Sequence, residues 1–132
     1  YFFLYGEQND YAFRARSKGY KLIYTPRAKL WHKGAITTGN GVKYSPQIIY
    51  WQQKSTLKLT LLYLDKKYFL LYYVRYLIKL VLLYPIKNFK RYMNRDSKII
   101  NTHKAYYKAL IDFTKWTIHK EEDNGYNPFS KI

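Results

Sequence analysis

A chain of 132 residues with 48% hydrophobic side chains suits one packed domain or part of a larger one, which excludes wholesale disorder. It has no cysteine, which excludes a disulfide framework and any thiolate metal site. With 24 Lys plus Arg against 8 Asp plus Glu, its net charge of +16 favours anionic partners such as nucleic acid, nucleotide sugars or anionic lipid.

The chain opens on Tyr1-Phe2-Phe3-Leu4-Tyr5, a run that reads as a short buried strand ending at Gly6. No initiator Met or basic n-region marks a signal peptide, and the expectation is a segment cut from something longer. A helix is predicted from Asn9 or Asp10, both good N-cap residues, to Gly19, a residue suited to the C′ position. Tyr20-Lys21-Leu22-Ile23-Tyr24 alternates as a second strand, stopped by Thr25-Pro26, and Ala28-Lys29-Leu30-Trp31-His32 reads as a third extended segment. Gly34, Gly39 and Gly41 mark a loop.

Ser45-Pro46 is a helix start, with Ser as N-cap and Pro at the first helical position, and the helix is expected to reach about Leu64. Residues 68–84 are strongly apolar and should be broken at Pro85. Residues 86–98 are basic and poorly periodic. From His103 to about His119, Ala105, Ala109, Leu110, Phe113 and Trp116 recur at 3–4 spacing, the signature of an amphipathic helix. The tail after Glu121 is polar and is expected to fray.

The chemistry-bearing residues fall in the first block. Glu7 and Asp10 lie just past a predicted strand at a helix mouth, and His32 ends an extended segment. An open α/β sheet binds ligands beyond the C-terminal ends of its strands, so both would sit at such positions. The run Phe2-Phe3-Leu4-Tyr5-Gly6-Glu7-Gln8-Asn9-Asp10, followed by Arg14-Ala15-Arg16, Gly19-Tyr20-Lys21, Tyr24-Thr25-Pro26, Ala28 and His32-Lys33-Gly34, resembles family-2 glycosyltransferases of the rhamnosyltransferase-like kind. Their pattern reads F-F-x-Y-G-E-D-x-D-L-x-x-R-x-x-x-x-G-Y-K-I-x-Y-x-P-x-A-x-V-x-H-x-G, and the spacing is kept over residues 2–34. Ser45-Pro46 and Tyr50-Trp51-Gln52-Gln53-Lys54-Ser55 resemble later family segments more loosely.

The resemblance implies an α/β fold. Residues 1–44 would be the C-terminal part of a GT-A catalytic sheet, and residues 45–132 a mainly helical, basic extension. It implies transfer of a sugar from a nucleotide-diphosphate sugar to a saccharide or lipid-linked acceptor, in the cytoplasm at the inner face of the membrane. Inverting transfer needs a carboxylate to take the acceptor hydroxyl's proton, and a divalent metal, Mg2+ or Mn2+, to hold the leaving diphosphate. Asp10 or Glu7 would be the base, His32 would join the metal site, and Arg14, Arg16, Trp31 and Lys33 would bind substrate. The family's usual Asp after the Glu is replaced by Gln8, which cannot accept a proton at neutral pH, so the role passes to Asp10 or Glu7. No Asp-x-Asp, the family's nucleotide-side metal motif, occurs in the chain, so residues 1–132 alone are expected to be inactive.

Each residue also has a plainer reading. Asp10 would serve as a helix N-cap, Glu7 as a turn residue on the surface, His32 as a structural histidine beside Trp31, and Arg14 and Arg16 as a solvated face. A different function class is a non-catalytic basic module. Between Lys66 and Arg95 there are eight basic residues and no acidic one. Arg75 and Lys79 interrupt the apolar stretch, and each central cation costs roughly 2.5–3.5 kcal/mol on insertion, so an interfacial helix on anionic lipid is favoured over a spanning one. On that reading Tyr68, Tyr72, Arg75, Tyr76 and Lys79 share the face that meets the headgroups. No helix-turn-helix, RNP-like or zinc-finger signature supports nucleic acid.

Overall fold

A computed structural model describes residues 2–31, 45–120, 128 and 129. The described residues are helical, with α1 at Glu7–Ser17, α2 at Pro46–Tyr63, α3 at Lys66–Ile78, a π-helical turn at Lys79–Leu83, and α4 at Tyr84–Lys87. The short α5, Phe89–Met93, and the long α6, Ser97–His119, complete them.

The expected α/β sheet is overturned: no strand occurs among the described residues. Residues 3–6 form bends, and residues 20–25 and 28–31 carry no ladder. The alternation at Tyr20 to Tyr24 is present, but a strand also needs a neighbour for its N–H and C=O groups and a surface for its apolar face. Neither exists among the described residues; Tyr24 is 88% and Trp31 93% exposed. The strand that was to deliver Glu7 is replaced by a tight turn, with Tyr5 at φ 62° and Gly6 at φ 91°.

Glycine is required at that turn. A Cβ on Gly6 would lie 3.1 Å from Phe2 and 3.1 Å from the Ser55 Cβ, so the turn presses directly on α2. The Ser55 hydroxyl donates to the Leu4 carbonyl at 3.1 Å, satisfying a backbone group that has no ladder partner. At the other end of α1, Gly19 takes the left-handed C′ conformation at φ 84°, and the Tyr20 N–H reaches back to the Ala15 carbonyl at 3.1 Å, closing a Schellman motif. That terminus follows the expectation from sequence.

α2 starts as its sequence predicts. Ser45 is the N-cap and its hydroxyl accepts from the Ile48 N–H at 3.3 Å, with Pro46 at the first helical position. α2 and α6 form the centre of the fold. Ile49, Tyr50 and Trp51 pack on Ala105 and Ala109. Further along, Leu57 packs with Phe113 and Trp116, so the two helices run in the same direction. Ala105 and Ala109, one turn apart and fully buried, present little side chain and let α2 approach closely. α3 and the π turn that follows it pack beside them, inserting Tyr76 and Leu80 into the second cluster.

Lys58 of α2 is 0% exposed, an unusual place for an ammonium. Its Nζ lies 4.8 Å from the Trp116 ring centroid and 5.8 Å from that of Phe2, so aromatic faces replace part of its lost hydration.

Pro85 does not break the helix as expected. The chain widens into a π turn just before it, and the Tyr84 N–H bonds the Lys79 carbonyl, five residues back. That shift takes from the Leu80 carbonyl its α-helical donor. The next N–H along would be residue 85, and proline has none. The His103 Nε2–H from α6 fills the gap, donating to the Leu80 carbonyl at 3.0 Å. With Nε2 protonated, His103 Nδ1 accepts from the Tyr92 hydroxyl. Rings of Tyr84 and Tyr107 lie 4.8 and 4.7 Å away.

α5 ends with Arg95 at φ 51° and the Asp96 N–H on the Arg91 carbonyl at 2.9 Å. Asp96 then N-caps α6, accepting from the N–H groups of Lys98 at 3.0 Å and Ile99 at 3.3 Å. α6 therefore begins two turns before the predicted His103.

Candidate functional site

The acidic motif gathers on the first turn of α1. Gly6 is the N-cap and makes no side-chain capping bond, and Glu7 is the first helical residue. Asp10 is therefore not an N-cap. Its N–H bonds the Gly6 carbonyl at 2.8 Å, and its side chain turns to other partners.

Those partners are Arg14 and Tyr63. The Arg14 Nε donates to Asp10 Oδ2 at 3.0 Å and a terminal guanidinium nitrogen lies 2.9 Å from the same oxygen. The Tyr63 hydroxyl, from the last turn of α2, donates to the other oxygen, Oδ1. The Asp10 side chain is 13% exposed while Arg14 is 63% exposed, so the carboxylate sits under its guanidinium at the edge of solvent. Phe13 stacks on the Tyr63 ring with centroids 4.4 Å apart and holds the phenol in place. Burial, and then the Asp10 carboxylate it bonds, push the Tyr63 phenol up to about 12. At neutral pH it stays protonated and remains a donor.

The other predicted site residues are dispersed. Glu7 is exposed and makes no ion pair among the described residues. Arg16 is exposed beyond Arg14 on α1, and Trp31 stands in solvent. His32 and Lys33 lie outside the described residues, and with them the expected convergence of the acids on a histidine. Tyr63 was absent from the sequence reading. It lies 53 positions from Asp10, and in a chain with 17 tyrosines nothing local marks it.

The implied Mg2+ or Mn2+ finds no seat among the described residues. No three His, Cys, Asp or Glu side chains cluster there. Both oxygens of Asp10 are engaged, one by a guanidinium whose charge opposes a second cation. Any metal bound at this site would need ligands from outside the described residues.

A concave feature lies apart from these residues, between α2 and α3. It is a cleft of about 400 Å³, with Gln53 on one wall and Tyr72, Arg75 and Lys79 on the other. Tyr76 forms part of its floor and is buried against α6, where its hydroxyl donates to the Tyr106 carbonyl at 3.3 Å. The tyrosine face of α3 thus turns inward at Tyr76 instead of lying wholly at headgroup depth. Tyr68 stays exposed, as do the aliphatic residues Leu70, Leu71, Val74, Ile78, Val81 and Leu82.

The chain matches no family model, no curated protein and no solved structure.

Proposed function

We propose that this chain is the acid-bearing piece of a glycosyltransferase that moves a sugar from a nucleotide-diphosphate donor to a saccharide or lipid-linked acceptor. It would work in the cytoplasm at the inner membrane face. Two things support the reading. One is the in-register resemblance of residues 2–34 to family-2 glycosyltransferases. The other, which carries it, is that Asp10, the second acid of that motif, is a mostly enclosed carboxylate fixed by two donors at a helix mouth.

In this reading Asp10 is the base. As the acceptor hydroxyl attacks the anomeric carbon, its proton passes to the carboxylate, the new C–O bond forms, and the bond to the diphosphate breaks. Arg14 and Tyr63 are positioning residues that hold the carboxylate in one orientation. Glu7, exposed and unpartnered among the described residues, has no such support, which favours Asp10 between the two candidates. The donor diphosphate and its divalent metal would be held by residues outside this chain.

The test uses the natural full-length protein with a panel of labelled nucleotide-diphosphate sugars, after a donor is found by product formation. Asp10→Asn should lower kcat by at least about a hundredfold, the usual share of a general base, while the helical circular dichroism is kept. Glu7→Gln should leave kcat within a few-fold. Unchanged turnover in Asp10→Asn would remove Asp10 from the reaction.

A further inference from the structure

The cleft between α2 and α3 is lined by two cations and no acid. Arg75 and Lys79 are one helical turn apart on the same face of α3 and its π continuation, with Tyr72 and Gln53 beside them. Neither cation forms an ion pair among the described residues, whereas Arg14, Arg91 and Lys108 each have an aspartate. No acidic residue occurs between Lys66 and Arg95 to supply one. A paired guanidinium and ammonium with a neighbouring phenol and amide form a receptor for a phosphate diester.

The surroundings narrow the ligand further. Ile78 and Leu83 line the same cleft and are 44% and 56% exposed. They continue into an aliphatic stripe, since Leu71, Val74, Ile78 and Leu82 recur at 3–4 spacing and all are exposed. The opposite face, through Phe69, Tyr76 and Leu80, is packed against the core, so this helix can offer lipid only one side. Lys66, Lys67, Lys87, Lys90 and Arg91 flank the stripe at its two ends.

We infer that the Arg75–Lys79 cleft holds the phosphate of an anionic phospholipid, with the α3–α4 helix lying in the plane of the membrane surface and its aliphatic stripe in the acyl boundary. Neither the free anion nor a fully apolar surface explains both halves of the feature. A soluble phosphate needs no aliphatic margin, and a neutral membrane needs no cation pair. The inference stands apart from the sugar-transfer reading, and either can fail alone.

The test is vesicle flotation of the whole chain with phosphatidylcholine alone or mixed with phosphatidylglycerol. The protein should float with the mixed vesicles and stay down with phosphatidylcholine. A surface cation contributes about 1 kcal/mol, so Arg75→Gln with Lys79→Gln should weaken partitioning about twenty- to thirtyfold. Exchanging Lys104 and Lys115, exposed on α6, for Gln removes the same charge and should cost less than about threefold. Leu71→Gln with Leu82→Gln should also weaken flotation with no change in helical circular dichroism. Equal losses from the two charge pairs would reduce the effect to net charge and overturn the site. Full protection of the cleft by inorganic phosphate, with flotation unaffected, would reassign it to a soluble anion.

Discussion

The contact between His103 and the Leu80 carbonyl makes a prediction that can be worked through. The carbonyl lost its helical donor to the π turn, and the next donor is missing because residue 85 is proline. His103→Phe keeps an aromatic ring among Tyr84, Tyr92 and Tyr107 and removes only the two ring nitrogens. It should leave the carbonyl and the Tyr92 hydroxyl without protein partners. An unsatisfied buried polar group costs about 1–3 kcal/mol, and for this part-buried contact the loss should be about 1–2 kcal/mol. Urea unfolding followed by circular dichroism would read this as a lower midpoint at constant slope. Pro85→Ala restores an N–H at the position that can reach the Leu80 carbonyl, or lets the turn relax to α so that Tyr84 can. In that background His103→Phe should cost about 1 kcal/mol less, a coupling well above the usual error of a double-mutant cycle. Equal cost in both backgrounds would refute the account of why histidine stands there.

Four further outcomes follow from the same reasoning. Gly6→Ala places a methyl group 3.1 Å from Phe2 and Ser55 at a left-handed φ, so it should cost about 2 kcal/mol or more in thermal or urea unfolding. Ala109→Leu forces an isobutyl group between α2 and α6 and should cost about 1–3 kcal/mol, while Ala→Gly there should cost less than about 1 kcal/mol more than helix propensity alone. Tyr63 has a raised folded-state pKa, so its contribution is complete below about pH 10, the unfolded value, and is lost as pH climbs through about 12. Tyr63→Phe should flatten that alkaline arm in a stability-versus-pH series. Asp96 is held low, first by Arg91, so its contribution is present above the ordinary carboxylate range near about pH 4 and disappears as pH falls through its lower folded value; Asp96→Asn should remove that acid-side slope.

Local punctuation in the sequence was the most legible part of the fold. Ser45-Pro46 and Gly19 mark termini through backbone chemistry that needs no distant partner, and both sit where expected. The Ala105, Ala109, Phe113 and Trp116 spacing also identified the core face of α6. Its true start at Asp96 was hidden because the basic residues around it mask any periodicity, although Asp96-Ser97 is itself a capping signal. The strands failed for the opposite reason. Alternation at residues 20–24 is a local pattern, but a strand exists only through a neighbour, and the described chain contains none. Pro85 failed because a donor 18 positions away, on another helix, compensates for the bond it removes.

The candidate site divides in the same way. The acids and Arg14 were readable because i, i+3 and i, i+4 spacing on one helix brings side chains together whatever the rest of the chain does. Tyr63 was not, because its meeting with Asp10 depends on how α1 lies across α2. The cleft was half visible. Arg75 and Lys79 stood out as cations in an apolar run, but only packing shows that Tyr76 turns inward and leaves the aliphatic side free.

The contacts that join α1 to α2 also bear on what the chain can tolerate. Leu4 is bonded to Ser55 and Asp10 to Tyr63, so α1 and α2 are tied directly to each other. Residues 20–31, which follow α1, are all exposed. Adding residues there changes little but closure entropy, about 0.6 kcal/mol for each doubling of length. A reporter peptide spliced into that exposed stretch should therefore leave the aspartate's surroundings undisturbed.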